Sequence, residues 1–197
     1  AHEAAPNSAD VLLNLASALA CADRSEEAVA AYEATLRREP DNPDFHNYFN
    51  GYLGVIGHTD YLRSYRQVLQ RNPADARFAV PLARKLLLEE KGEEAFDVLL
   101  KSLEAGGDSS MLRREMSYVR REQSHFGEAL EYALAARDEE ANAANERELA
   151  TALMAAGADY EKALALLRSL VERFPEDQGL WALFATGLRY AEYDAEY

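Results

Sequence analysis

The side chains that could support catalysis or metal binding are few in this sequence and lie far apart. Its four histidines, His2, His46, His58 and His125, include no pair four residues apart, the spacing that places two metal ligands on one helical face. The single cysteine, Cys21, excludes an internal disulfide and a cysteine-based metal cage. We therefore predict no metal and no cofactor, and we expect this segment not to be an enzyme.

Composition excludes further functional classes. The net charge of −14 argues against non-specific nucleic-acid binding, which needs a basic surface to displace counterions. No run approaches the roughly 18 apolar residues of a membrane helix, and no basic-then-apolar leader is present. We expect a cytoplasmic protein with no membrane partner. Paired acids fall at helix starts and junctions, where they complement the helix dipole rather than form an acid/base pair, as at Glu26/Glu27, Glu93/Glu94 and Glu139/Glu140.

Two series of residues recur along the chain at one period, and both predict an array of repeats. Hydrophobic residues in the intervening segments recur at helical spacing, and no segment alternates in the manner of a strand. The first series marks helix ends at intervals of 34, 33, 34, 34 and 34, at Pro6, Pro40, Pro73, Gly107, Ala141 and Pro175. The second lies within helices at intervals of 33, 34, 34 and 34, at Ala28, Tyr61, Ala95, Ala129 and Ala163.

The pattern resembles the tetratricopeptide repeat, whose unit of about 34 residues reads W-x2-L-G-x2-Y, then A-x3-F, then P. In the first unit Leu12, Leu15, Ala16 and Leu19 match the first cluster, Ala28 and Tyr32 match the second, and Pro40 matches the terminator. The resemblance implies an all-α fold, a right-handed α-α superhelix of antiparallel helix pairs in which the first helix of each pair lines a concave face.

The resemblance covers essentially the whole chain and predicts one solenoid domain, residues 1–197. It is of the bacterial type, and the ragged ends suggest a segment of a longer protein. The predicted divisions are a leading stub at 1–8, repeats at about 9–42, 43–75, 76–109, 110–142 and 143–177, and a partial repeat at 178–197.

The second unit departs from the family pattern. Phe49 and Tyr61 stand where the family has small residues that let paired helices approach closely. Two interpretations remain open at this point. Either larger rings fill the core, or the pair is widened and opens a pocket beside His46 and Asn50.

The family binds ligands along the concave face, so we mapped first-helix residues that point away from the core of each pair. Among 24 such positions there are six arginines and one acid, although the whole chain has 35 acids and 21 bases. Arginine donates paired hydrogen bonds to carboxylates and phosphates. The candidate partner-binding residues are His46, Asn50, Arg77, Arg84, Arg114, Tyr118, Arg121, Arg147 and Arg189.

Two interpretations of these arginines are compatible with the sequence: they bind an acidic segment of a partner, or they pair with acids of neighbouring helices. A carboxylate clamp of the chaperone-binding subfamily is not predicted. Asn47 and Arg77 fall at two of its places, but Leu13, Ser17 and Pro81 occupy the others.

The sequence therefore predicts a non-catalytic protein-interaction module that binds a protein or peptide in its groove, and on the first of these interpretations the partner is acidic. The alternative is a recruitment arm of a larger enzyme, such as an iron/2-oxoglutarate oxygenase or a transferase, whose catalytic domain lies outside this chain. Self-association through exposed terminal repeats is a further prediction.

Overall fold

Every regular element in the described part of the chain is an α-helix. The computed structural model describes residues 8–195, with side chains described for residues 8–191, so residues 1–7 of the predicted leading stub lie outside it. Within these residues there are eleven helices and no strand, which confirms the predicted all-α fold. The chain divides into two compact units, Ala1–Leu82 (unit 1) and Ala83–Tyr197 (unit 2).

The helices alternate along the chain, and we call the members of each successive pair the first and the second helix. In unit 1 the first four helices pack on each other in sequence, and in unit 2 the first helix α9 (Ala143–Ala155) also contacts the first helices α7 (Ser109–Glu122) and α11 (Gln178–Ala195). The first helices are α1 Ala9–Cys21, α3 Pro43–Val55, α5 Ala76–Leu88, α7 Ser109–Glu122, α9 Ala143–Ala155 and α11 Gln178–Ala195. The second helices are α2 Ser25–Arg38, α4 Arg63–Arg71, α6 Gly92–Glu104, α8 Phe126–Glu139 and α10 Tyr160–Arg173.

The turn between the first and second helix has the same backbone conformation in all five pairs. Its central residue is left-handed, with φ between 60° and 69°, and the following amide donates to a carbonyl five residues back. This is the Schellman arrangement, which satisfies a carbonyl that the helix end leaves without a partner. Glycine adopts this φ without steric cost at two of the turns. The central residues are Asp23, Gly57, Glu90, Ser124 and Gly157.

The core of unit 1 changes from small side chains to aromatic ones along the chain. Ala16 and Ala28 are fully buried between α1 and α2, which allows these helices to approach closely. In the next pair the ring of Phe49 is buried against Tyr32, with ring centroids 6.0 Å apart. Tyr61 lies against Gly54, and α4 begins only at residue 63 and is nine residues long, against 14 in α2. The larger ring thus coincides with the loss of the first turn of the second helix.

His46 and Asn50 belong to this aromatic core. His46 is 4% exposed and packs edge-on against Phe78, with centroids 5.0 Å apart. Asn50 is 1% exposed and accepts a hydrogen bond of 2.7 Å from Ser64 Oγ. Both side chains therefore lie in this core and not on an exposed helix face, and their role in partner binding stays a prediction.

A buried asparagine holds the first helix α9 in place in unit 2. The side chain of Asn145 is 0% exposed, and its Nδ2 donates to Ser110 Oγ at 2.7 Å and to the carbonyls of Glu140 and Ala136 at 2.8 and 3.1 Å. Its Oδ1 accepts from Arg114 at 3.3 Å. One side chain therefore connects α7, the end of α8 and the start of α9.

Replacing this side chain tests the connection. We expect Asn145→Ala to lower the free energy of unfolding by about 2–3 kcal/mol, because it leaves several buried polar groups without partners. The measurement is urea unfolding followed by circular dichroism. The control is Asn14→Ala on the exposed face of α1, which we expect to change stability by less than about 0.5 kcal/mol. Equal effects of the two substitutions would contradict this role.

Candidate functional site

A cavity of about 440 Å³ lies on the first helices of unit 2 and is the candidate site. We call it the unit 2 cavity. It forms because α7 packs against α9 and α9 packs against α11, so side chains three, four and seven residues apart on each helix face the same space. The lining residues are Arg84 of α5, Arg114, Glu115, Tyr118 and Arg121 of α7, Ala144, Arg147, Glu148 and Thr151 of α9, and Leu183 of α11.

A buried glutamate forms part of the cavity wall. Glu115 accepts two hydrogen bonds from the guanidinium of Arg84, at 2.8 and 2.7 Å, in the bidentate geometry that favours arginine. The Glu115 side chain is 4% exposed, whereas that of Arg84 is 59% exposed. The hydrogen bond with Glu115 raises the pKa of Arg84. Arg84 is therefore committed to neutralising a carboxylate that water does not reach.

The second carboxylate, Glu148, is less completely neutralised. It accepts from Ser117 Oγ at 2.9 Å and from Arg121 Nε at a longer 3.5 Å. Burial raises the pKa of Glu148, and the nearby charge of Glu115 adds to that rise. Arg121 also contacts Glu122 at 3.2 Å and lies over the ring of Tyr118. Glu148 is thus a carboxylate whose ionised form is disfavoured.

The other two arginines are more loosely held. Arg114 donates to Asn145 at 3.3 Å and lies 3.7 Å from Glu115, which Arg84 already neutralises. Arg147 lies 3.9 Å from Asp177, and its side chain is 48% exposed. With four arginines and two glutamates, the lining carries an excess of two positive charges when both glutamates are ionised. Arg114 and Arg147 hold most of the donors left for a ligand.

Five of the nine predicted partner-binding residues line the unit 2 cavity, and the other four do not. Arg77 lies in unit 1, where it is exposed and forms a bidentate pair with Asp75, with donor–acceptor distances of 2.9 and 2.7 Å. Arg189 is exposed on α11 but is not among the lining residues. The five that come together are Arg84, Arg114, Tyr118, Arg121 and Arg147, and the remaining two are the buried His46 and Asn50.

A one-residue difference in repeat length explains the misplacement of His46 and Asn50. The mapping carried positions from α5 back to α3 over 34 residues, but burial repeats over 33, so that His46 and Asn50 correspond to the buried Ala79 and Ala83. A shift of one residue turns a helical position by about 100°. The exposed residues of α3 are Asp44, Asn47, Tyr48, Gly51, Gly54 and Val55.

The mapping also missed Glu115 and Glu148, which lie one position beyond Arg114 and Arg147. Contacts between neighbouring first helices join residues 31 apart, as in Arg84 with Glu115 and Ser117 with Glu148. A search for acids 31 residues after each arginine would have found Glu115.

Known proteins share this fold. A family model described as tetratricopeptide repeat matches residues 148–177. A TPR protein of Thermus thermophilus is 19% identical and aligns over 92% of this chain and 99% of its own, with a TM-score of 0.61. The chain folds as a tetratricopeptide-repeat array. PilW, a type IV pilus biogenesis factor, is 20% identical to the array over 96% of this chain and 90% of its own, with a TM-score of 0.62.

A third structure similar to the array is YrrB, described as a TPR protein with an unusual peptide-binding site. It is 19% identical over 91% of this chain and 92% of its own, with a TM-score of 0.55. No curated protein sequence matches the array. In the part of the array that the structure describes, no helix is long and apolar enough to cross a bilayer, and no group of three His, Cys, Asp or Glu side chains could hold a metal ion.

The Arg84–Glu115 pair gives a prediction about stability. We expect Arg84→Met to lower the free energy of unfolding by about 2 kcal/mol, because it leaves Glu115 buried without its partner. This expected loss is smaller than the loss for a fully buried ion pair, because Arg84 is more than half exposed. The measurement is guanidinium unfolding in a double-mutant cycle. Adding Glu115→Gln to Arg84→Met should recover most of the loss, and a strictly additive cycle would rule out the coupling.

The raised pKa of Glu148 gives a prediction about pH. The folded state holds this proton more tightly than the unfolded chain, in which the carboxyl titrates near 4.5. Glu148 therefore makes the free energy of unfolding fall as the pH rises from about 4.5 through its folded pKa. We expect the stability of the wild type minus that of Glu148→Gln to decrease over this range and then level off. A difference that increases with pH would contradict the assignment.

Proposed function

We propose that this array is a protein-interaction module and that it binds an acidic segment of a partner protein in the unit 2 cavity. The tetratricopeptide-repeat fold supports an interaction scaffold in general. The observation that supports an acidic partner is the presence in one cavity of Arg114 and Arg147, whose nearest carboxylates lie 3.7 and 3.9 Å away, too far for a normal hydrogen bond.

The net charge of the residues that line the cavity supports the same proposal. The chain has a net charge of −14, yet the lining of this cavity has an excess of two positive charges. An approaching acidic segment is repelled by most of the surface and attracted here, which favours binding at this place. Arg84 pairs closely with Glu115 and Arg121 pairs more loosely with Glu148, which leaves Arg114 and Arg147 for the proposed partner.

The walls can contribute contacts other than charge. Tyr118 offers a ring and a hydroxyl, and Leu183 and Ala144 offer apolar surface beside Thr151. Aromatic and arginine side chains are the types enriched at the centres of protein interfaces.

The test is the binding of a labelled hexaglutamate peptide with blocked ends, measured by fluorescence anisotropy at low salt. We expect Arg147→Glu to weaken binding at least about tenfold, because a charge-assisted donor becomes a repelling acid. Arg147 suits charge reversal better than Arg84, since reversing Arg84 would place two acids together in a buried site. The affinity should also fall as salt is added.

The matched control is Arg168→Glu, an exposed arginine of the second helix α10 that does not line the cavity. It changes the net charge equally and should leave the affinity within about twofold of the wild type. A second control is the hexaglutamine peptide, which should not bind. Equal losses for both variants, or equal binding of both peptides, would contradict the proposed site.

The other predictions about function remain proposals. The same cavity would serve a recruitment arm of a larger enzyme, and a cytoplasmic location fits either role. Self-association is compatible with the exposed side chains of Trp181, Leu188 and Tyr190 on α11. Light scattering over a concentration series would measure it.

A further inference from the structure

A second polar cavity, of about 390 Å³, lies in unit 1 among α2, α3 and α4. We call it the unit 1 cavity. Three arginines line it, Arg37 from the end of α2 and Arg63 and Arg71 from α4, and the one carboxylate in its lining is Glu33. None of these four residues was singled out from the sequence, because they lie on second helices.

The arginines of this cavity are incompletely neutralised. Arg63 donates to Glu33 at 2.7 Å and lies over the ring of Phe49, 5.5 Å from its centroid. Arg71 donates through Nε to the backbone carbonyl of Gln67 at 3.3 Å. The guanidinium of Arg37 forms no hydrogen bond or ion pair with any of residues 8–191. Three guanidinium groups thus share one carboxylate, which leaves an excess of two positive charges.

Helix ends alone do not account for this arrangement. Bases stabilise the last turn of a helix through its dipole, and Arg37, Arg38 and Arg71 all lie in last turns. The dipole does not explain why Arg37 and Arg71 of different helices border one cavity together with Arg63. Like charges brought together in this way repel each other unless an anion lies between them.

The imidazole of His46 provides an independent observation. His46 lines the cavity, and its Nε2 lies 2.8 Å from the carbonyl oxygen of Pro40, so Nε2 must carry the proton. Its Nδ1 is buried and has no partner within the described residues. Burial lowers the pKa of His46, and the charge of Arg71 lowers it further. Nδ1 can donate a hydrogen bond only if the ring gains a second proton, which a nearby anion would favour.

We propose that the unit 1 cavity is a binding site for a phosphoryl group, held chiefly by Arg37 and Arg71. A phosphoryl group carries between about −1.5 and −2 charges at pH 7 and several acceptor oxygens, which matches the excess of two positive charges and the uncommitted donors. The group could come from free phosphate or from a phosphorylated side chain of a partner. The site is separate from the unit 2 cavity and does not depend on its proposed function.

The test uses inorganic phosphate and observes the imidazole resonances of His46 by NMR. This resonance, assigned with a His46→Gln variant, reports the unit 1 cavity specifically. We expect a saturable shift in the wild type and at least a tenfold weaker affinity in Arg37→Gln/Arg71→Gln. The matched control is Arg38→Gln, the adjacent last-turn arginine that does not line the cavity, which should bind within twofold of the wild type.

Sulfate gives a second measurement, because it stays a dianion between pH 5 and 8. Saturating sulfate should raise the pKa of His46 in the wild type and not in Arg37→Gln/Arg71→Gln. The variant lacks the charges of Arg37 and Arg71, so the quantity compared is the change that sulfate causes within each protein. The other titratable groups around the ring, Arg63, Glu33, Asp41 and Tyr65, are common to both proteins.

A blocked phosphoserine peptide separates the two sources of the group. Tighter binding of this peptide than of phosphate assigns the site to a phosphorylated partner, and equal or weaker binding assigns it to free phosphate. The proposal is overturned if phosphate leaves the His46 resonance unchanged, or if Arg38→Gln weakens binding as much as Arg37→Gln/Arg71→Gln. Circular dichroism of each variant verifies that it is folded.

Discussion

The constraint on which the rest of this structure depends is the turn between the two helices of each pair. Each turn places one residue in the left-handed region and returns the next amide to a carbonyl five residues back. In four of the five pairs the second helix begins two or three residues after this left-handed residue, which sets its start relative to the first helix. In these pairs a fully buried alanine recurs near the start of the second helix, at Ala28, Ala95, Ala129 and Ala163. Where the first turn of α4 is lost after Tyr61, the core becomes aromatic and His46 is buried within it.

The two cavities use arginine in different ways. On the first helices of unit 2, Arg84 and Arg121 are held in place by the buried carboxylates of Glu115 and Glu148. On the second helices of unit 1, Arg37 and Arg71 have no such acids. In unit 2 the paired arginines give a rigid lining, beside which Arg114 and Arg147 are loosely held. In unit 1 the repulsion between Arg37 and Arg71 is relieved only when an anionic ligand binds.

The sequence was sufficient to predict the all-α fold and its helix pairs, because these depend on periodic apolar residues and helix ends. It was also sufficient to bring Arg84, Arg114, Tyr118, Arg121 and Arg147 to one face. It was insufficient where an error of one residue in the repeat length changes which face of a helix a side chain occupies. Because the interval between α3 and α5 is 33 residues and not 34, His46 and Asn50 lie in the core. Nor could it show pairing between helices, such as that of Arg84 with Glu115, because the offset of 31 residues arises from packing and not from the repeat.

That offset has a consequence for the modularity of the array. Since Arg84 lies on α5 and Glu115 on α7, and Ser117 lies on α7 and Glu148 on α9, each buried carboxylate is satisfied by a different helix pair from its own. A single helix pair moved into another protein would arrive with an acid or a base lacking its counterpart. The smallest piece that carries the whole groove with its ion pairs is therefore the run from α5 to α11, because Leu183 and the partner of Arg147, Asp177, come from the end of that run.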